Sequence, residues 1–370
     1  MDSLKARAIA IYLPQYYPIP ENDAVWGKGY TEWICTAKAK PLFRNHYQPR
    51  IPADLGFYDL RVPETRIAQA EMAKAAGIEG FMYWHYWFGN GKRLLERPFD
   101  EVLVSGQPDF PFCLGWANHS WKTSTWKALS HSRPKDNMIV EQLYPGDEDI
   151  VAHFNNVLPA FKDKRYITVD GKPLFVLWAP LEVPDFKHFK EMWNELALKN
   201  GLKGIFFVGM IISDKEKYQQ VYDSGFDAII PSYMWHAETK VHSWLYKVGM
   251  NYLRDKIDDR FVPINKYNYK DIIKHLSSDL DKRENVFPSV IPQWDRSPRS
   301  GRRTTIYHGS TPELFKQHVE DVLDKIKDKP MDKRILFVRS WNEWGEGNYM
   351  EPDQKFGTGY LDALRDALMK

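Results

Sequence analysis

Arg334-Ile335-Leu336-Phe337-Val338-Arg339-Ser340-Trp341-Asn342-Glu343-Trp344-Gly345-Glu346-Gly347-Asn348-Tyr349 changes character halfway along. Its first part is a run of branched and aromatic apolar residues, which suits a strand covered on both faces. Its second part brings two carboxylates, an amide and two indoles together. Gly345 and Gly347 there permit the backbone angles of a tight loop. A buried strand that ends in Trp341, Asn342, Glu343, Trp344 and Glu346 reads as the rim of an active site rather than as core. Solvated loop acids are the plainer reading of two glutamates, but the flanking indoles weigh against it.

The same change recurs along the chain. Ala8–Leu13 is a strand ended by Pro14, and apolar strands follow at 78–84, 112–116, 174–178, 204–209, 228–230 and 286–291. Helical patterns separate them, among them Pro63–Ala76, Phe186–Leu198 and Pro312–Ile326, with Tyr360–Met369 last. Strands alternating with helices imply a parallel sheet. Eight such units predict an α/β fold, a single (β/α)8 TIM barrel spanning residues 1–370. Gln15–Leu60 is long and aromatic-rich, and is expected to form an ordered, irregular cap after strand one. Met234–Asn285 is an enlarged excursion between strands six and seven.

Active sites of such barrels lie where the strands end, and polar-aromatic tips fall there. They are Tyr12 and Gln15, His85 and Tyr86, Trp116 and Asn118, Trp178, Tyr233, and Trp294 with Asp295. With Trp33 of the cap and Trp341, Asn342 and Trp344, these are the candidate substrate contacts. Plainer readings stand beside them: His85 as a satisfied structural histidine, Asp295 as a loop acid. Glu32 stays open, and Glu351 and Asp353 either line the rim or, the plainer reading, are surface acids.

Composition bounds the function. A net charge of +2 gives no global case for nucleic acid. Arg296, Arg299, Arg302 and Arg303 form a local basic cluster, a contact for an acidic sugar or a phosphate on one reading and a solvated loop on the other. Two distant cysteines make no disulfide framework, and Cys113 reads as core. No ligand spacing among the histidines suggests a metal, and no glycine-rich phosphate loop is present, so no cofactor is expected. Asp279-Leu280-Asp281 matches a metal-holding motif of many nucleotide-sugar transferases, but in a charged surface setting. No apolar run reaches about 18 residues, and no signal-peptide core follows Met1. A cytoplasmic protein without a membrane span is the expectation. An aromatic content of 15% supplies flat rings for stacking on sugars, although such rings also fill cores.

Two carboxyl groups are the usual equipment for glycoside cleavage, one to protonate the leaving oxygen and one to act as base or nucleophile. The acid must hold its proton near neutral pH. Glu346, beside Trp344 and near Glu343, fits that need, and Glu343 is its partner. A spacing of three in a loop leaves the carboxyl separation open.

Several segments are also familiar. Ile11-Tyr12-Leu13-Pro14-Gln15-Tyr16, Trp26-Gly27-Lys28-Gly29-Tyr30-Thr31-Glu32-Trp33, His46-Tyr47-Gln48-Pro49, Pro52–Asp59 and Trp341–Gly347 resemble the WbsX-like family of polysaccharide-locus proteins, over essentially the whole chain. That family is often labelled glycosyltransferase and occurs in lipopolysaccharide O-antigen and capsule loci. The chain is also similar to glycoside hydrolase family 99, the endo-α-mannosidases. Their Asn-Glu-Trp-His-Glu-Gly motif resembles Asn342–Gly347, with Gly345 in place of the histidine. This likeness implies a (β/α)8 barrel and metal-free, retaining cleavage through an anhydro-sugar. By the same likeness Glu343 assists the sugar 2-hydroxyl and Glu346 is acid/base. The expected activity is a retaining, endo-acting glycoside hydrolase or transglycosylase on a surface polysaccharide or its precursor. A nucleotide-sugar glycosyltransferase and a non-catalytic glycan-binding barrel are the alternatives.

Overall fold

In the computed structural model, which describes residues 4–123, 137–211, 215–257, 261 and 263–369, the eight apolar runs form eight parallel strands. They are β1 (Arg7–Tyr12), β2 (Ile78–Trp87), β3 (Phe112–Trp116), β4 (Lys172–Leu177), β5 (Phe206–Ile211), β6 (Ala228–Pro231), β7 (Ser289–Val290) and β8 (Ile335–Val338). Their order is β6-β5-β4-β3-β2-β1-β8-β7. The register sets Ile9 beside Phe337 on one side and beside Gly80 on the other. Helices cover the outside, so both faces of the strands are buried, which is why the runs are apolar throughout.

Strand seven is shorter than the apolar run 286–291. Pro288 interrupts it, because proline brings no N–H to a ladder. The residues before it turn to β6: the Phe287 N–H donates to the Ile229 carbonyl at 2.8 Å, and the Ile229 N–H donates to Asn285 at 3.0 Å. Those after it turn to β8, where the Phe337 and Arg339 N–H groups donate to Pro288 and Val290. The barrel closes through this divided strand. Strand two runs longer than expected, because Tyr86 and Trp87 also pair with Leu94 and Arg93.

Helix Pro312–Ile326 has the predicted bounds. The Thr311 side chain caps it, Pro312 starts it without a lost hydrogen bond, and Phe315, Val319, Val322 and Ile326 are fully buried. Burial of such side chains stabilises by about 1.5–3 kcal/mol each. The cap is more regular than expected. It contains helices Pro20–Trp26 and Glu32–Lys38, and Asp23 accepts the N–H groups of Gly29 and Tyr30 between them. The excursion has helices Met234–Val241 and Trp244–Lys256, and its Tyr267 and Tyr269 join Tyr233, Trp294 and Tyr307 from the flanking chain in a second, smaller apolar cluster. Asp281 is buried rather than on the surface. It accepts from the Tyr233 hydroxyl at 2.6 Å, while Asp279 pairs with Lys282 and Lys325. Among the described residues no helix is long and apolar enough to cross a membrane.

Gly80 sits where β2 passes the segment before β3. A Cβ there would lie 2.3 Å from the Pro111 carbonyl oxygen, a backbone atom that cannot turn aside. Gly80→Ala is expected to destabilise the barrel by about 1–3 kcal/mol, as overpacking does. Urea unfolding of the variant beside the wild type measures it.

Candidate active site

The strand ends open on a cavity of about 540 Å3. Gln15 reaches it from the chain after β1, Tyr86 from β2, His119 from beyond β3, Trp178 from the end of β4 and Trp294 from beyond β7; Ser340, Glu343 and Glu346 come from beyond β8. Asn342 holds the last segment in place. The Leu13 N–H donates to its Oδ1 at 2.7 Å, and its Nδ2 donates to the Leu13 carbonyl at 3.0 Å. The loop bearing Glu343 and Glu346 is thereby tied to the end of β1. Trp344 is fully buried, stacked on Tyr349 at 3.7 Å, with Nε1 donating to Glu351.

Glu343 and Glu346 meet on one guanidinium. Arg299, in a single helical turn Ser297–Ser300, donates from Nη2 to Glu343 at 2.8 Å and from Nη1 to Glu346 at 2.7 Å. On its far side Glu32 accepts from Nη2 at 2.8 Å and from Nε at 3.2 Å. Glu32 is fully buried at the start of its cap helix. Arg296 adds an ion pair to Glu346 at 3.1 Å. Gly345 makes the arrangement possible: a Cβ there would lie 2.1 Å from Glu32 Oε2 and 2.8 Å from Arg299 Nε. The Glu32–Arg299 pair fills the space that a side chain at position 345 would need.

The environments separate the two carboxyls. Burial raises Glu343 to about 7, with Glu346 and Glu32 adding repulsion against the pull of Arg299. Burial acts on Glu346 as well, but Arg296, Arg299 and Arg339 outweigh it and hold Glu346 below the usual carboxylate range. The sequence reading put the proton on Glu346. The arginines beside Glu346 favour its ionised form instead.

The other predicted contacts divide. Gln15, Tyr86, Trp178 and Trp294 line the cavity with the two glutamates; Tyr12, Trp33, His85, Trp116, Asn118, Tyr233, Asp295, Trp341, Asn342 and Trp344 do not. Tyr12 is buried with its hydroxyl on Gln69, and Trp33 donates to the Tyr58 carbonyl. His85 Nε2 lies 2.9 Å from His153 Nε2, and burial lowers His85 to about 3. Trp116 donates to the Trp87 carbonyl, and Asn118 Nδ2 donates to Ala179 and Tyr144. Trp341 packs on Phe81. Asp295 lies against His46 and Gln48 with Arg50 at 3.8 Å; burial would raise it, but those partners hold it at about 2. Glu351 and Asp353 are buried, not surface acids. Glu351 accepts from Tyr58, Gln69 and Trp344, and burial raises it to about 7.

Arg339, Arg303 and His119 also line the cavity. Burial lowers His119 to about 4, so it is neutral at pH 7. Among the described residues no three His, Cys, Asp or Glu side chains gather to hold a metal ion.

A barrel with paired carboxylates at its strand ends has recognisable relatives in shape. The structure superposes on the family 99 endo-α-mannosidase of Bacteroides thetaiotaomicron with a TM-score of 0.59, at 13% identity, over 98% of this chain and 95% of the other. A structure described as a glycoside hydrolase-like protein also gives 0.59, at 13% identity, over 99% and 94%. At this identity the likeness concerns the fold. The profile of the family described as "Glycosyltransferase WbsX" matches residues 8–364, and the chain belongs to that family. WxcX of Xanthomonas campestris pv. campestris, described as an uncharacterized protein, is 32% identical over 376 residues. That match takes in all of this chain, which spans about half the length of its relative.

Glu351→Gln tests the support beneath the loop. An amide must turn its NH2 toward Trp344 and Tyr58 or toward Gln69, all of them donors to Glu351. The expected cost is about 1–3 kcal/mol for a buried donor left unsatisfied, measured as a lower urea midpoint.

Proposed function

We propose that the cavity cleaves a glycosidic linkage, passing the sugar to water or to a second sugar, with Glu343 and Glu346 as the working pair. The observation that carries this is two carboxyls on one guanidinium, facing a cavity with Trp178 and Trp294, and displaced in opposite directions by their surroundings. Groups whose environments separate them in this way divide acid from base. Near neutral pH the pair holds one proton, as the chemistry requires. A retaining, endo-acting reaction on a surface polysaccharide or its precursor is the finer form of this reading, and the family 99 likeness supports it. Such an activity would serve the assembly or remodelling of that polysaccharide.

The roles within the pair have two supports that differ. The family 99 likeness makes Glu346 the acid, while the electrostatics leave the proton on Glu343. Sugars with activated leaving groups separate them, since they need no acid. The variant that keeps its rate on a dinitrophenyl glycoside but loses the natural linkage, Glu343→Gln or Glu346→Gln, identifies the acid.

The family's description favours a second reading, transfer from a nucleotide sugar. Asp279 and Asp281 give it little support, since neither lines the cavity and both are engaged elsewhere. Product analysis on a glycan panel without nucleotide sugar decides between them. The expected result is cleavage by the wild type and a loss of about 100-fold or more in each glutamine variant. Nucleotide-sugar turnover unaffected by both changes would move the assignment to transfer. Intact binding without either reaction would leave a glycan-binding barrel.

The proton on Glu343 sets the expected pH profile. Its pKa is raised to about 7, so the protonated form is lost as pH rises through 7. Glu346 is depressed, so its ionised form is lost only in acid. The rate should form a bell with its alkaline limb near pH 7, measured as kcat/KM across pH, and Glu343→Gln should remove that limb.

A further inference from the structure

We propose that the cavity is built for a glycan carrying an oxyanion, a uronate carboxylate or a phosphate, which Arg339 receives. The inference rests on reading the cavity as a glycan site and adds the chemical class of what enters it.

Four arginines line the cavity: Arg296, Arg299, Arg303 and Arg339. Three have visible engagements. Arg299 carries Glu32, Glu343 and Glu346; Arg296 pairs with Glu346; Arg303 donates to the Ile257 carbonyl at 3.1 Å. Glu238, the third carboxylate of the lining, is already paired with Lys247 at 2.6 Å. Arg339 differs. Among the described residues its side chain makes no ion pair and no hydrogen bond. Its guanidinium carbon instead lies 5.8 Å from the ring centre of Trp178 and 5.8 Å from that of Trp294.

That setting favours an anion. The indoles attract the cation through their π-faces and shield it from water. They do not consume its N–H groups. A guanidinium accepts a carboxylate or phosphate in its plane through two parallel hydrogen bonds, which a neutral hydroxyl cannot match in strength. The two indoles lie beside the same position and offer surfaces for a sugar ring. Arg339 also helps to keep Glu346 ionised, so its test must separate substrate contact from support of that carboxylate.

Calorimetry at low ionic strength would compare glucuronate, inorganic phosphate and glucose on the wild type, Arg339→Met and Arg339→Lys. None of these probes has a linkage to cleave, so the result does not depend on turnover. The expected result is at least tenfold tighter binding of one anion than of glucose by the wild type. Arg339→Met should lose that preference and Arg339→Lys should keep part of it. Thermal melts report whether each variant is folded, and the lysine form carries the test if the methionine form is not. Preference for phosphate alone assigns a phosphorylated glycan, and preference for glucuronate alone assigns a uronate. No preference in the wild type, or an undiminished preference in a folded Arg339→Met protein, would overturn the inference. Cleavage of a neutral glycan without any anion preference would leave the glycosidase reading standing and remove this one.

Discussion

One guanidinium holds the site together. Arg299 is buried and meets three carboxyl groups, Glu32 from the cap and Glu343 and Glu346 from the loop after β8. A buried charge is tolerated only with partners, and three acids around one cation cannot all be ionised cheaply. The arrangement therefore keeps a proton among them, and the neighbouring arginines decide where. Arg296 pairs with Glu346, and with Arg299 and Arg339 it favours the ionised form there, whereas burial favours the proton on Glu343. Charge, cap position and loop geometry are thus a single constraint. Glycine at 345 is part of it, because a side chain there would strike the Glu32–Arg299 pair.

The barrel was legible because its signal is periodic. Each strand is a short apolar run between breakers, and eight of them leave few architectures open. The cap was harder to read. Its helices are brief, and tertiary contacts rather than pattern hold them, as with Trp33 on Tyr58. The glutamate pair was readable from its indole neighbours. Arg299 was not, since a serine- and arginine-rich stretch has the same composition whether solvated or folded over a carboxylate cluster.

The aromatic tips show the opposite difficulty. Tyr12, His85 and Trp116 stand at strand ends as Trp178 does, yet only Trp178 lines the cavity. Alternation sends neighbouring side chains to opposite faces, and a short sequence does not reveal which face meets the cavity and which meets the helices. His85 found His153 behind the sheet. Glu351 and Asp353 were misread for a related reason. Acids are buried when donors surround them, and the donors to Glu351 come from Tyr58, Gln69 and Trp344.

The divided seventh strand has a mechanical meaning. A ring of uniform wall spreads any distortion around its circumference, whereas a ring with a thin place bends there. Between β6 and the chain before Pro288, the backbone bonds seen among the described residues are those joining Ile229 to Asn285 and Phe287. The excursion bearing Met234 and Glu238 springs from that place, and both residues face the cavity. The thin place lies between β6 and β7, while on the other side of β7 the ladder to β8, which carries the glutamate loop, and on to β1 is continuous.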